Sequence, residues 1–227
     1  MKEIFILLVL FSGFLVLKAD KTIMLFPKQS ITDYMTLKPV AKTLRQITVC
    51  LRSYSELTRG HSLFSLAMQN LDNAFLIFPI PPNQISISIN NEDIYFRVDP
   101  EVLDWKHTCV TWDSGTGLVQ LWINGKRYPR RVSNSKTPLG PKISVILGQE
   151  QENFGGGFDQ NQCFVGELSD VNMWDYVLPL KDIKSFLNEC STLCGNIYCW
   201  VGGSYTVKGK VLTLTHQSYH MGQCKST

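Results

Sequence analysis

LVQLWING, residues 118 to 125, carries the strongest fold signal in the chain. Leu118 to Ile123 is a run of apolar, β-branched and aromatic residues, which favours a strand. Asn124-Gly125 follows directly, and this pair is typical of a tight hairpin because both turn positions need a positive φ. The stretch therefore predicts a strand that ends in a hairpin turn.

Similar short segments recur along the chain between turn signals. The predicted strands are Ile47–Tyr54, Ser62–Met68, Phe75–Phe78, Ile85–Ile89, Ile94–Val98, Thr108–Trp112, Leu118–Ile123, Ile143–Leu147, Val165–Trp174 and Tyr205–Leu212. A helical pattern occurs only near residues 179–189, where Pro179 suits a first turn and apolar residues recur on one face. Many evenly spaced strands with one short helix predict an all-β protein, a two-sheet antiparallel sandwich.

Residues 1–19, MKEIFILLVLFSGFLVLKA, resemble a secretory signal peptide with cleavage expected near Ala19. The apolar run is short for a bilayer span, and no second run of membrane length follows, so we expect no transmembrane anchor. Residues 20–227 fit a single β-sandwich domain. We expect the mature protein to be extracellular.

Composition excludes some partners. The chain has 22 basic and 19 acidic residues, a net charge of +3. A balance this close to neutral gives no support for nucleic acid as a partner or for a basic membrane surface.

Seven cysteines in a secreted chain predict disulfides rather than a zinc site. The spacing of Cys190, Cys194 and Cys199 does not match the close pairs of common zinc sites. An odd total leaves one thiol free or joins two chains, and the pairing of Cys163, Cys190, Cys194, Cys199 and Cys224 cannot be read from the sequence.

Oxygen-bearing side chains concentrate in EQENFGGGFDQNQ, residues 150 to 162. Carboxylates, amide carbonyls and backbone carbonyls are the ligands that Ca²⁺ prefers. The glycines 155–157 let the backbone double back so that both ends of the loop meet one site. The spacing is not that of an EF-hand, so composition alone fits either a calcium site or a solvated acidic loop.

Catalysis is the rival class of function. A retaining glycosidase needs two carboxyl groups about 5–5.5 Å apart. Glu167 and Asp170 are the best pair, but residues three apart on a strand point to opposite faces unless a bulge intervenes. The chain has no nucleophile elbow, no phosphate-binding glycine pattern and no His-Glu-x-x-His, so we expect no enzyme.

Three separated motifs identify the chain as resembling the pentraxin family. His107–Trp112, HTCVTW, fits the signature His-x-Cys-x-Ser/Thr-Trp, and LGQEQE at 147–152 and NMWD at 172–175 are similar to family sequences. The resemblance runs from Phe26 to about Val211 and weakens in the cysteine-rich tail, residues 190–227. It implies a flattened jelly roll, laminin-G or lectin-like, with one helix on a face, a Cys50–Cys109 disulfide and a homo-oligomeric ring, usually of five subunits. His107, Trp112 and Trp174 are expected to be structural.

The resemblance also implies two calcium ions per subunit. The first would be held by Asp72, Asn73, Glu150, the main-chain carbonyl of Gln151, and Glu152. The second would be held by Glu150, Glu152, Asp159 and Gln162. Phosphocholine-binding members of the family have Asp where Glu152 stands and Glu where Asp159 stands, so the affinity of the second site is left open.

A ligand pocket beside the ions is implied as well. Phosphate oxygens would coordinate the cations, choline methyls would lie on Phe78, Asp93 would face the ammonium and Ser88 would leave room between them. We therefore expect phosphocholine or related phosphate-bearing groups on microbes and damaged cells as ligands, with phosphoethanolamine, acidic glycans or a lost ligand site as alternatives. Complement is a doubtful partner, since Asn124 and Leu187 replace the Asp and Tyr used on the effector face of such members.

Overall fold

The structure, a computed structural model, describes residues 21–100, 102–187 and 193–216. Two antiparallel sheets and one short helix, α1 (Leu180–Ser185), make up the fold. The eight-stranded sheet contains β1 (Lys21–Phe26), β3 (Gln46–Tyr54), β8 (Lys106–Asp113), β9 (Leu118–Ile123), β10 (Lys126–Arg127), β11 (Arg131–Val132), β13 (Gly166–Trp174) and β15 (Leu212–His216). The seven-stranded sheet contains β2 (Tyr34–Leu37), β4 (Phe64–Met68), β5 (Leu71–Ile80), β6 (Gln84–Ile89), β7 (Glu92–Arg97), β12 (Ile143–Leu147) and β14 (Tyr205–Lys208). The predicted two-sheet jelly-roll sandwich is confirmed.

Strand order brings distant segments together. The orders are β10-β9-β8-β3-β13-β1-β15, with β11 also on β9, and β14-β2-β12-β4-β5-β6-β7. Only β4 separates β12 from β5. The loop after β12 and the start of β5 therefore belong to the same sheet, although they are far apart in sequence.

Each predicted strand overlaps an observed one, but the sequence prediction missed β1, β2, β10 and β11. β10 and β11 have two residues each, too few for a periodic pattern to show. The prediction of one strand over Tyr205–Leu212 is wrong. Gly209 has φ +68° and breaks the run, so that β14 joins one sheet and β15 the other.

The hairpin at Asn124-Gly125 is confirmed, with φ values of 48° and 76°. A second turn of the same kind joins β6 to β7, where Asn90 and Asn91 have φ values of 50° and 63°. In both turns, positive φ at two successive positions gives the backbone a twist that matches the right-handed twist of the flanking strands.

The main core lies between the sheets, and a second apolar cluster lies outside the eight-stranded sheet, under α1. The second cluster contains Cys50, Cys109, Trp122, Trp174, Leu178, Ile183 and Phe186. Alternation along the strands explains the division, because neighbours such as Val49 and Val110 point into the main core. Trp112 and Trp174 are fully buried, as expected of structural residues.

The helix is shorter than predicted. It spans Leu180–Ser185, Pro179 is its N-cap with an extended backbone, and a single turn follows to residue 187. The remainder of the predicted segment, residues 188 and 189, lies outside the described residues. No helix in the described part of the chain is long and apolar enough to cross a membrane.

The predicted Cys50–Cys109 disulfide is present, with an S–S distance of 2.00 Å between β3 and β8. Cys194 and Cys199 form a second bridge, and Cys163 is a buried free thiol. Cys190 and Cys224 lie outside the described residues, as do the predicted signal peptide and the end of the tail.

Candidate functional site

The loop after β12 folds back over the outer face of the seven-stranded sheet. The reversal starts at Gly148, which has φ +89° and whose added Cβ would lie 2.1 Å from the Phe26 ring. Gln151 then fastens the loop to the sheet. Its Nε2 donates to the Ser65 carbonyl at 3.0 Å and the Ser144 carbonyl at 3.2 Å, and its Oε1 accepts the Gly155 N–H at 2.9 Å. The side chain of Gln151 is therefore structural, which suits the predicted use of its main-chain carbonyl as a ligand.

Glu150 lies at the centre of the predicted metal site. It is 5% exposed, and the Asn73 amide Nδ2 donates to its Oε1 at 3.1 Å. Burial raises its pKa to about 7, the Asn73 hydrogen bond opposes this shift, and the carboxylates of Glu152, Asp72 and Asp93 raise the pKa further. These electrostatic effects place all four carboxyl groups in one neighbourhood.

The start of β5 is held by the Asn90-Asn91 hairpin. The Asn73 N–H donates to Asp72 Oδ1 and to Asn91 Oδ1, both at 3.1 Å, and Asn91 Nδ2 donates to Asp72 Oδ1 at 3.0 Å. Asn91 fixes the direction of the Asp72 carboxylate, and the sequence prediction missed it. The Asn-Asn pair between two predicted strands is the turn signal that was available.

Two predicted calcium ligands have a buried oxygen that accepts no hydrogen bond: Asn73 Oδ1 and Gln162 Oε1. A buried carbonyl oxygen without a donor costs free energy and needs an explanation. Such oxygens accept a hard cation well. The donor chemistry of this site therefore fits Ca²⁺.

The far arm of the loop carries Asp159. Its Oδ1 accepts the Asn161 N–H at 2.9 Å, and its carbonyl accepts the Gln162 N–H at 3.0 Å. The Gln162 carbonyl in turn accepts the Ser62 N–H at 2.9 Å, which ties this arm to the sheet. Glu152 is exposed on the near arm.

The carboxylates near Glu150 do not converge into a tight cluster. Among the described residues, three ligand atoms of His, Cys, Asp or Glu come within 4.8 Å of one another only at Cys50, His107 and Cys109. The two sulfurs there are joined in the disulfide, so that trio cannot hold a metal. Carboxylates repel one another when no cation lies between them, which explains why they stay apart. A bound cation would remove this repulsion.

The predicted ligand-pocket residues lie on the outer face of β5, β6 and β7. Ser88 pairs with Leu76 on one side and with Asp93 on the other. The Ser88 hydroxyl donates to Asp93 Oδ1 at 2.5 Å, and the Tyr95 hydroxyl donates to Asp93 Oδ2 at 3.3 Å. The nearby Asp93 charge raises the pKa of Tyr95. Ser88 therefore orients the carboxylate as well as leaving space, and Tyr95 was missed although its alternating position in EDIYF marks it as outward-facing.

Phe78 is half-buried and packs against Gly60. A Cβ added at Gly60 would lie 2.7 Å from Phe78 Cε1, so the missing side chain makes room for the Phe78 ring. The ring keeps part of its surface in solvent on the same face as Asp93.

Asn124 and Leu187 are the two positions that correspond to the effector face of complement-binding members. Both line one cleft of about 280 Å³. Leu187 follows α1 and contacts the hairpin, since a Cβ added at Gly125 would lie 2.5 Å from Leu187 Cδ1. Asn124 Oδ1 accepts the His107 N–H at 2.8 Å. Neither side chain carries a charge or a phenol at this face.

The carboxylates of the glycosidase alternative are on β13, where the register shifts between Ser169 and Asn172. Asp170, at φ 53°, lies in this bulge, so the simple strand geometry expected for Glu167 and Asp170 does not hold. The Asp170 carboxylate is instead engaged by the Arg52 guanidinium at 3.3 Å. This ion pair fastens β13 to β3 and explains Asp170 without catalysis.

Comparisons with known proteins agree with the fold and the motifs. The model of the Pentaxin family matches residues 22–214. Jeltraxin of Lepidobatrachus laevis is 63% identical over 96% of this chain and 98% of that protein. C-reactive protein of Xenopus laevis is 52% identical over 90% of this chain and 85% of that protein. Serum amyloid P-component of Mus musculus is 38% identical over 85% of this chain and 86% of that protein.

One solved structure extends the likeness to the backbone. The native heptameric SAP-like pentraxin of Limulus polyphemus has a TM-score of 0.79 at 23% identity, covering 86% of this chain and 94% of that chain. With the family signature and the sandwich in place, the chain belongs to the pentraxin family of non-enzymatic recognition proteins.

Proposed function

We propose that this pentraxin is a secreted, calcium-dependent pattern-recognition protein that binds phosphocholine or related phosphate-bearing groups on microbes and damaged cells. The observation that carries the proposal is the pair of buried oxygens without donors, Asn73 Oδ1 and Gln162 Oε1, together with the buried Glu150 carboxyl that the Asn73 amide contacts. Membership in a family of innate-immune recognition proteins supports the biological role.

Two calcium ions are assigned to this site. Asp72, Asn73, Glu150, the Gln151 carbonyl and Glu152 hold the first ion, and Glu150, Glu152, Asp159 and Gln162 hold the second. Calcium accepts six to eight oxygen ligands at variable geometry, which tolerates the Glu at 152 and the Asp at 159. When bound, the ions neutralise the carboxylates and offer open coordination positions to ligand oxygens.

The pocket next to the ions is assigned to the rest of the ligand. The part of the half-buried Phe78 ring that remains in solvent attracts a quaternary ammonium through its ring quadrupole, and the Asp93 carboxylate attracts the same cation. The Ser88 and Tyr95 hydroxyls keep that carboxylate oriented. Phosphate on the cations and choline on Phe78 and Asp93 satisfy both ends of phosphocholine.

A homo-oligomeric ring of five subunits is proposed on the family resemblance. Further sites on one ring bind effectively intramolecularly once the first is occupied, so weak single contacts add up to stable capture on a ligand-coated surface. Complement recruitment is not proposed, because Asn124 and Leu187 leave that face without the acid and the phenol it uses in other members.

Titration calorimetry tests the function. Phosphocholine is titrated into the purified protein in millimolar calcium and again in chelator, with calcium alone titrated in parallel. Heat from phosphocholine in calcium only is the expected result, and Glu150→Gln should remove both the calcium heat and the phosphocholine heat. Calcium binding without phosphocholine binding would reject the ligand and keep the metal site, and no retention on phosphocholine beads would then favour a lost ligand site.

A further inference from the structure

Arg59 holds the far arm of the loop at 148–162. Its Nη1 lies at hydrogen-bond distance from three carbonyl oxygens, those of Asn161 and Cys163 at 2.8 Å and that of Gly60 at 3.0 Å. Since Nη1 carries two hydrogens, one of them is shared between two carbonyls. Nη2 donates to the Cys163 sulfur at 3.4 Å. One guanidinium therefore joins two segments that are 102 residues apart in sequence.

The two distant carbonyls belong to the residues on either side of Gln162. Gln162 is the predicted calcium ligand whose buried Oε1 accepts no hydrogen bond. Its own carbonyl accepts the Ser62 N–H at 2.9 Å. The segment 59–62 thus holds three successive carbonyls of the far arm, at Asn161, Gln162 and Cys163. This fixes the backbone from which the Gln162 side chain extends.

The segment 59–62 is itself anchored to β5. The His61 N–H donates to the Pro79 carbonyl at 3.2 Å. Gly60, in the same segment, makes room for the Phe78 ring. A shift of this segment would therefore disturb a predicted calcium ligand and a predicted pocket residue together.

The charge of the Arg59 side chain does not itself favour a calcium ion nearby. A positive charge repels a cation, so on electrostatic grounds alone a neutral residue would serve better. The guanidinium differs from other side chains in its planar fork, which presents N–H donors in fixed directions, whereas a lysine ammonium is a single point on a flexible stem. Geometry is therefore the property of Arg59 that can assist calcium binding.

We propose that Arg59 is a positioning residue for the second calcium ion. It fixes the backbone around Gln162 through the Asn161 and Cys163 carbonyls, so that the Gln162 side chain is already in place when the ion arrives. The inference rests on the proposed calcium site and adds a residue that does not touch the ion. Groups that orient metal ligands in this way typically contribute about 10–100-fold to metal affinity. The first ion, whose ligands lie at the start of β5 and on the near arm, should depend on Arg59 far less.

Cys163 provides a readout that needs no calcium. Its thiol is fully buried against Arg59. A displaced far arm would expose this thiol to the reagent DTNB, so the reaction rate in chelator reports the position of the arm. Cys163→Ser gives the background reaction of any other thiol.

Calcium is titrated by calorimetry into the wild type, Arg59→Lys and Arg59→Gln, and the two binding steps are resolved. We expect Arg59→Gln to weaken the second step roughly tenfold and to leave the first unchanged. Arg59→Lys keeps the charge but loses the fork, so it should weaken the second step about threefold. DTNB should react fastest with Arg59→Gln. A purely electrostatic role predicts the opposite, tighter binding in Arg59→Gln and wild-type binding in Arg59→Lys.

Arg52→Gln is the matched control, because Arg52 also donates to two carbonyls, those of Phe186 at 2.9 Å and Leu187 at 3.2 Å, on the face that carries α1. Equal weakening of the second step by Arg52→Gln and Arg59→Gln overturns the positioning role. So does equal weakening of both steps in Arg59→Gln, or a single calcium step in the wild type.

The failure of this role and the failure of the proposed function give different results. If the wild type binds two ions and Arg59→Gln binds both as tightly or more tightly, the positioning role is rejected and the proposed function stands. If the wild type binds no calcium, the proposed function fails and the positioning role fails with it.

Discussion

Glu150 is a predicted calcium ligand whose buried carboxyl lowers the stability of the folded protein when it is charged and no cation is bound. Its carboxyl is buried among other acids, and among the described residues only the Asn73 amide donates a hydrogen bond to it. In the absence of a cation this arrangement favours the protonated form, and with a cation it favours the charged form. This predicted calcium ligand is thus a residue that lowers the stability of the fold when no cation is bound.

Glu150→Gln should raise stability in chelator and abolish stabilisation by calcium. The folded pKa of about 7 lies above the unfolded value of 4.5, so the folded chain binds more protons between these values and its stability falls as pH rises through that window. At pH 8 the cost is about 3 kcal/mol, which the neutral amide removes. Urea unfolding at pH 5 and pH 8, with and without calcium, measures both effects. Equal stabilisation of both proteins by calcium would contradict the assignment.

His107 makes the opposite contribution to pH dependence. The ring is 4% exposed, stacks on Phe186 and lies 3.6 Å from the Cys109 sulfur through Nε2. Burial, with the Arg52 charge as a second cause, lowers its pKa to about 3. It is therefore a neutral structural residue, as its strand motif indicated.

Acid should weaken the fold through His107. The unfolded chain takes up a proton near pH 6.5 and the folded chain does not until about pH 3, so stability is lost as pH falls through that range. Between pH 7 and pH 5 the loss is about 2 kcal/mol. In His107→Leu, chemical unfolding at these two pH values should show that much less dependence on pH. A dependence identical to the wild type would mean that other groups cause it.

At the scale of elements, the turn after α1 and the β9–β10 hairpin are in contact. Leu187 occupies the space that a Cβ at Gly125 would need, and Gly125 also has φ +76°. A short helix of six residues has little stability of its own, so its position depends on such contacts and on the apolar cluster beneath it.

Gly125→Ala should destabilise the protein by about 1–3 kcal/mol, from positive φ and from overlap with Leu187. When Leu187→Ala is added to Gly125→Ala, it should recover the part of the lost stability that comes from overlap. The part that comes from the positive φ should remain. A double-mutant cycle by thermal unfolding separates the two. Strictly additive effects would show that the leucine and the turn are not coupled.

The strands also show how much of the fold could be predicted from the sequence. Long strands with flanking turn signals, such as those of the LVQLWING hairpin, were predictable because their local pattern and their tertiary role agree. The two-residue strands β10 and β11 and the reversal at Gly209 depend on partners distant in sequence, such as the buried Asp33 carboxylate that accepts the Lys210 N–H at 2.9 Å. For the candidate site, the motif resemblance supplied the residues, whereas the hydrogen bonds of Asn91 to Asp72 and of Tyr95 to Asp93 emerge only from the folded structure.

The whole molecule has two different faces. The predicted ligand-pocket residues and the loop at 148–162 lie outside the seven-stranded sheet, and α1 lies outside the eight-stranded sheet. Rotation about a ring axis cannot turn a subunit over, so every subunit of a closed ring presents its ligand sites on the same side. All the sites of one ring can then engage one surface.

Avidity is the expected result of that geometry. Light scattering in calcium should give a mass of about five protomers, following the family resemblance. Apparent affinity for phosphocholine on beads should exceed the affinity for soluble phosphocholine at least 100-fold. A monomeric mass with equal affinities in both formats would remove the ring from the proposed function.

Both ends of the described chain leave the molecule side by side, because Lys21 is the register partner of His216 in the β1–β15 ladder. A mechanical load applied between these two residues would act on that ladder from its open end and part its hydrogen bonds one after another. β15 is an edge strand and would peel away first. The loop at 148–162 and the predicted ligand-pocket residues belong to the other sheet and lie off the path of the load, so tension on Lys21 and His216 would not pull directly on the predicted ligand site.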